Sequence, residues 1–361
     1  MTTASLPHLR PLSLGELLDQ AIRLYRRNFL KFIGIIAIVQ IPLAILQMLA
    51  SLLTFGGLFA QVQNTEALSP SDPFGAFGPG YFAGIGLSLV LGLISFILIQ
   101  GVASAATARA VADNYLGEST GMLDAYEKIG RHWLSILGAL LVMLLLYVLF
   151  FLWMIVPCVG WLTGFGILIF FSAVIVPLVA PVIVLEKQRA TQAIRRAWDL
   201  ARRRFWWTLG FVLILYVFSL LIIAGPSALL TVLMGALVGS PAGSNNPSTL
   251  FTVQTIMSSL VSLVTSLVYL PLQVTCITLM YFDLRVRTEG FDLALLAAGA
   301  TGDQVAEVAA QTPPAGSGAL VTWREMGYFA LIELAGVGLY CILYFVLVAV
   351  VVALVSAGGG F

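Results

Sequence analysis

Arg27, Arg131 and Arg203 are the side chains whose type and spacing most invite a chemical reading. Each is the eighth residue of a fifteen-residue frame that occurs three times: QAIRLYRRNFLKFIG (20–34), DAYEKIGRHWLSILG (124–138) and RAWDLARRRFWWTLG (196–210). Alanine stands second in every copy (Ala21, Ala125, Ala197), an aromatic ring tenth (Phe29, Trp133, Phe205) and glycine fifteenth (Gly34, Gly138, Gly210). Any helix that enters a membrane tends to carry arginine and then aromatics at the interface. Four matched columns in three gapless copies nevertheless favour an internal repeat. Guanidinium groups so placed can meet anionic lipid, at about 1 kcal/mol per basic residue, or a partner protein. Arg23, Arg27, Arg131, Arg203 and Arg204 are therefore the candidate lipid- or partner-contacting residues.

Proton-transfer chemistry has far thinner support. Phosphodiester hydrolysis needs an acid/base pair and a metal or cationic clamp, yet His8 and His132 are the only histidines. No carboxylates cluster at metal-binding spacing, and no GxxxxGK[ST] loop is present. Cys158, Cys276 and Cys341 lie in apolar sequence without CxxC or Cys/His spacing. They read as small apolar packers, with neither disulfide nor metal. The residues point to no catalysis, no metal and no cofactor.

The elements that must position the arginines are membrane spans. Of 361 residues, 60% are hydrophobic and 10% charged, against about 45–50% and about 25% in soluble domains. The formal charge of +1 argues against nucleic acid as a partner. A spanning helix needs about 20 mainly apolar residues. Seven segments qualify: 31–54, 82–108, 133–156, 162–185, 206–239, 251–282 and 327–355. Several exceed the minimum, which predicts tilt or, in the fifth, a break at Pro226. All 18 lysines and arginines fall before span one or in the loops joining spans two to three, four to five and six to seven. The positive-inside rule then puts the N-terminus in the cytoplasm and the C-terminus outside.

The first frame opens with a capping box, Ser13 and Glu16, and Leu12 and Leu17 stand where a hydrophobic staple would close it. Leu14, Leu18, Ala21, Tyr25 and Phe29 recur on one helical face. Such a helix can lie in the headgroup plane before turning into the bilayer, or its apolar face can pack on protein. Each unit is then an interfacial helix, a span out and a span back, with an acid after the return span: Asp113, Glu186 and Asp283. The three units share one orientation, unlike the inverted repeats of many transporters.

Inside the spans, Gln40, Gln47, Gln100 and Gln273 read as hydrogen-bonding glue between helices, worth about 0.6 kcal/mol each, in preference to a cavity lining. Pro42, Pro177, Pro181, Pro226 and Pro271 are tolerable where neighbours satisfy the freed carbonyls. The GxxxG pairs Gly160/Gly164 and Gly235/Gly239, with GVASAATARA (101–110), predict close helix packing. Glu333, the acid deepest in a predicted span, is expected at the interface, within reach of the headgroups.

The run YFDLRVRTEGFDLALLA (281–297), with SLGELLDQAIRLYRRNFLKFIG near the start and VLEKQRATQAIRRAWDLARRRFWWTLG in the middle, resembles the membrane-domain family named for glycerophosphoryl diester phosphodiesterases. In some bacterial phosphodiesterases such a domain precedes the catalytic barrel. The likeness covers roughly residues 10–297; its most specific residues are Asp283, Arg285, Arg287, Glu289, Gly290 and Asp292, candidate structural positions. It implies a polytopic domain of a bacterial plasma membrane with no established activity of its own. Where a catalytic barrel could follow, this chain has an Ala/Gly/Pro-rich linker (298–322) and an added span (323–361). The expected fold is an all-α polytopic helical bundle, with six spans in 1–297 as three interfacial-helix-plus-hairpin units and a seventh C-terminal span. The expected function is a non-catalytic scaffold or accessory module that binds membrane lipids or a partner protein; the alternative is a transporter or permease subunit for a lipid or small solute. Continuous polar surface within the bundle would favour transport, and a dry bundle the scaffold.

Overall fold

The computed structural model describes residues 10–63, 79–117, 120–130, 133–238, 247–298, 308, 311 and 321–358. In chain order the helices are α1 (Leu14–Arg27), α2 (Phe29–Gln63), α3 (Pro79–Phe96), α4 (Ser104–Tyr115), α5 (Met122–Gly130), α6 (Trp133–Trp153), α7 (Val159–Phe170), α8 (Val176–Glu186), α9 (Ala190–Arg203), α10 (Phe205–Val238), α11 (Pro247–Glu289), α12 (Phe291–Ala298) and α13 (Trp323–Gly358). Two π-helical segments, Ile97–Ala103 and Phe171–Ile175, fuse α3 to α4 and α7 to α8. Among the described residues, seven helical stretches are long and apolar enough to cross a membrane: Phe29–Phe55, Tyr81–Tyr115, Trp133–Trp153, Val159–Glu186, Phe205–Ala236, Thr249–Glu289 and Trp323–Ala349. The chain is an all-α, multi-pass membrane protein. Helices suit hydrocarbon because each satisfies its own backbone hydrogen bonds.

The three return spans, two, four and six, pack on one another in every pairing. Ala103, Ala105, Ala106, Ala108, Ala110 and Ala112 give span two almost no side-chain bulk there, and all are buried. Small residues of this kind let helix backbones approach closely. Each outgoing span fills a gap at the edge: span one packs on two and six, span three on two and four, span five on four and six. Span four is the most enclosed, and span seven, which packs chiefly on α7, the least.

Each frame opens as an amphipathic helix, α1, α5 or α9. The second-position alanines Ala21, Ala125 and Ala197 are all 0% exposed, which explains why the column holds so small a side chain. In α1 the buried stripe is Leu17, Ala21 and Tyr25, whereas Phe29 is exposed. That stripe faces protein: α1 packs on α11, and the Tyr25 hydroxyl donates to the Val268 carbonyl at 2.8 Å. Burial lifts the Tyr25 phenol to about 12, so it remains a donor at any physiological pH. Ser13 and Glu16 form the full reciprocal capping box, and the Ser13 backbone N–H holds the Glu16 carboxyl below its ordinary pKa. The helix then breaks at Asn28, the ninth frame residue, and the third frame breaks at its own ninth residue, Arg204. An amphipathic helix thereby turns into a span within a single residue.

Several expectations are corrected. Pro226 lies inside a continuous α10 and produces no break; among the described residues, the departures from α-geometry within the spans are the two π segments, neither of which the sequence flagged. The frame's aromatic column is not equivalent in space, with Phe29 and Trp133 at 38% and 57% exposure and Phe205 at 4%. Phe205 is covered by Phe170 of span four, stacked on its ring, and by Tyr328 and Phe329 of span seven. A Cβ on Gly166 would stand 2.2 Å from the Phe329 carbonyl oxygen, so glycine there admits the backbone of span seven. Gly235 has open space around it, so close packing does not account for it. Cys276 is buried as expected, but Cys158 and Cys341 are exposed. Glu333 is buried on the same α13 face as Glu325 and Phe329, rather than directed outward, and its Oε2 has no hydrogen-bond partner among the described residues.

Candidate functional site

The acids that end the return spans organise the basic end of the bundle. Asp113 accepts from Lys128 of α5 at 2.8 Å and from the Thr120 hydroxyl at 2.5 Å, and Arg109 Nε lies 2.9 Å away as an ion pair without hydrogen-bond geometry. Glu186 accepts from Arg196 Nε of α9 at 2.9 Å and from the Tyr281 hydroxyl at 2.8 Å. Asp283 accepts from Arg287 at 2.7 Å and from the Leu12 backbone N–H, just ahead of α1, at 2.8 Å. Each return span thus holds a frame helix. Span two holds α5, span four holds α9, and span six closes the circuit on α1.

The largest of these clusters is a buried four-charge hub. Arg196 bridges Glu186 and Glu289, and Arg285 donates to Glu289 at 3.3 Å, to the Tyr281 hydroxyl at 3.1 Å and to the Gln311 carbonyl at 3.2 Å. Two guanidinium groups balance two carboxylates. Burial alone would pull the Arg196 pKa down, but the hydrogen bond to Glu289 and the charge of Glu186 outweigh it and hold the group above the ordinary arginine value. Such buried pairs fix a geometry more than they add stability, and breaking one leaves an uncompensated charge.

The DLRVRTEGFDL positions are placed here. Asp283 and Arg287 clasp the entry to α1, where Arg287 also donates to the Leu12 carbonyl. Arg285 and Glu289 belong to the hub. Gly290, at φ +63°, makes the left-handed turn between α11 and α12, and Asp292 sits in the first turn of α12.

Beside the hub, a cleft of about 610 Å³ opens between the end of α9 and the start of α13. Arg202, Arg203, Arg204 and Arg324 line it, with Trp206, Trp207 and Tyr328. Arg202 pairs with Asp199 at 2.9 Å. The Arg204 guanidinium lies 5.9 Å from the Trp207 ring centre, Arg324 donates to the Tyr328 hydroxyl at 3.1 Å, and Arg203 reaches the Thr288 carbonyl at 3.5 Å. Among the described residues, each of these last three retains donors that no contact uses, since a guanidinium offers five. Among the described residues the one acid lining the cleft is Glu325, which accepts from the Thr322 N–H and is buried. The structure therefore brings the expected Arg203 and Arg204 together and leaves Arg23 and Arg27 apart, exposed on α1, with Arg23 paired to Asp19. Arg131, His132 and His8 lie outside the described residues. Sequence reasoning used Arg324 only to count charge; its place in WREMGYF, beside aromatics as in RRRFWW, was the available signal.

The intramembrane glutamines divide into two kinds. Gln40 donates to Ser266 at 3.3 Å and Gln47 to Ser95 at 2.8 Å, both acting as glue between helices. Gln100 and Gln273, expected to do the same, instead line a cavity of about 660 Å³ with Tyr147, Ser172, Tyr216 and Tyr269.

No protein-family model, curated protein or solved structure matches the chain.

Proposed function

We propose that this multi-pass membrane protein is a non-catalytic module whose basic end binds the anionic headgroups of membrane lipids, with the cleft between α9 and α13 as the principal site. The observation that carries the reading is the convergence of Arg203, Arg204 and Arg324 with spare donors beside Trp206, Trp207 and Tyr328. Arginine forks suit phosphate oxygens, and tryptophan and tyrosine favour the headgroup level. The positive-inside rule places this end at the cytoplasmic leaflet, where anionic lipids attract such clusters. The DLRVRTEGFDL run keeps the membrane-domain family as the proposed kinship, without phosphodiesterase activity.

Purified protein in nanodiscs of mixed phosphatidylcholine and phosphatidylglycerol tests the site. Arg203→Gln/Arg204→Gln/Arg324→Gln should lose about 3 kcal/mol of anionic-lipid preference, taking about 1 kcal/mol for each charge. Native mass spectrometry of retained lipid reads the change. Unchanged phosphatidylglycerol retention in a folded triple variant would overturn the assignment. A transport role is the second reading, and the cavity lined by Gln100 and Gln273 favours it because it places polar surface inside the bundle.

A further inference from the structure

We infer that the cavity among spans two to six is a binding site for an uncharged lipid of the diacylglycerol kind, entered sideways from the bilayer between spans four and five. The inference is independent of the headgroup cleft. Gln100 and Gln273 contribute to its lining, while Ile169, Ser172, Leu213 and Tyr216, all exposed, lie at the edge where spans four and five meet lipid. At 1.5 Å per helical residue, Gln100 lies roughly 20 Å and Gln273 roughly 15 Å from the acids that end their spans. Those depths fall near the middle of a hydrocarbon core about 30 Å thick. Toward the basic end the hub of Glu186, Arg196, Arg285 and Glu289 ties α8, α9 and α11 together, whereas the exposed edge between spans four and five offers the bilayer as the route of entry.

The lining specifies the guest. Among the described residues no charged side chain contributes to it, so an ionised headgroup would be expensive at this depth. Gln100 and Gln273 have no hydrogen-bond partner among the described residues, unlike Gln40 and Gln47. A free amide in hydrocarbon is costly, and each offers both a donor and an acceptor. A hydroxyl beside ester carbonyls satisfies both. Gln100 and Ser172 belong to the two π-helical segments, whose midpoints, Gln100 and Ala173, lie the same number of residues before the acids ending their spans. Such bulges recur at functional sites because they re-aim side chains. About 660 Å³ falls within the roughly 300–1,000 Å³ of small-molecule sites. The cavity would hold the glycerol and the upper parts of the chains, with the remainder in the bilayer.

The test is photolabelling of the full chain in phosphatidylcholine/phosphatidylglycerol nanodiscs with a diazirine-bearing diacylglycerol, read by peptide mapping. Label should concentrate on residues 169–177 and 209–216 and fall when unlabelled diacylglycerol is added. Gln100→Leu/Gln273→Leu should reduce it about tenfold, the loss of about two hydrogen bonds. Ser172→Trp, which fills the entrance and leaves both amides intact, should abolish it and decides the matter if the double variant does not fold. A diazirine-bearing phosphatidylglycerol should instead label residues 203–207 and ignore both cavity variants, so either site can fail without the other. Diacylglycerol labelling spread evenly over lipid-facing residues, and unmoved by competitor or by Ser172→Trp in folded protein, would overturn the site and leave ordinary bilayer lipid as its content.

Discussion

Arg196 stands between two buried carboxylates, Glu186 and Glu289, and neither acid has a second arginine as close. Arg196→Met should therefore destabilise the protein by about 3–5 kcal/mol, because it strands a buried charge. Thermal melting in detergent micelles would register the change. Arg196→Met/Glu289→Gln removes one charge of each sign and leaves Glu186 to Arg285 and Tyr281, so it should regain much of the loss. A single variant as stable as the parent would mean that water reaches the hub. At this scale the sequence was only partly readable. It exposed the acids closing the return spans and the arginine column of the frame. It did not expose which partners those acids take, since Asp283 and Leu12 meet across 271 positions and no local spacing encodes that.

Helices and spans were the most readable level, because apolar runs of bilayer length have one physical use. The frame's alanine column was visible as a pattern, and its cause, complete burial, became clear only from packing. The π segments carried little signal; neither ILIQGVA nor FSAVI holds a proline, and the single Gly101 is of a kind common in membrane helices. Pro226 was the opposite case. It reads as a breaker, yet in hydrocarbon a helix that opened would forfeit hydrogen bonds that water cannot replace, and α10 runs on. Span seven depends on one small residue of span four. Gly166→Leu would push a side chain into the Phe329 carbonyl and lift α13 from α7. The expected outcome is loss of disulfide trapping between cysteines placed across that contact, with the six-span ring still folded. Trapping at the parental rate would show that span seven tolerates the displacement.

For the whole molecule, the segregation of every basic residue to alternate loops is the strongest regularity in the chain, and topology follows from it. Cys158 is exposed in the turn between α6 and α7, at the end remote from the arginines, and serves as a native reporter. In intact cells a membrane-impermeant maleimide should label Cys158, while a cysteine introduced by Gln192→Cys on α9 should react only after permeabilisation. The reverse pattern would invert the orientation. What the sequence could not supply at this scale was the closed arrangement itself. Three similar units can form an open row as readily as a ring, and the choice rests on contacts between the first helix and the sixth span.

That closure bears on how the protein is made. Synthesis releases α1 ahead of all seven spans, yet the residues that hold it, Val268 and Asp283, leave the ribosome only after five spans have followed. Until then the face of Leu17, Ala21 and Tyr25 has no final mate. α1 must therefore wait at the membrane surface as a loose end, shielded by lipid or by a chaperone. A chain cut short anywhere before the sixth span would keep that end loose, giving membrane proteases a direct mark of an unfinished molecule.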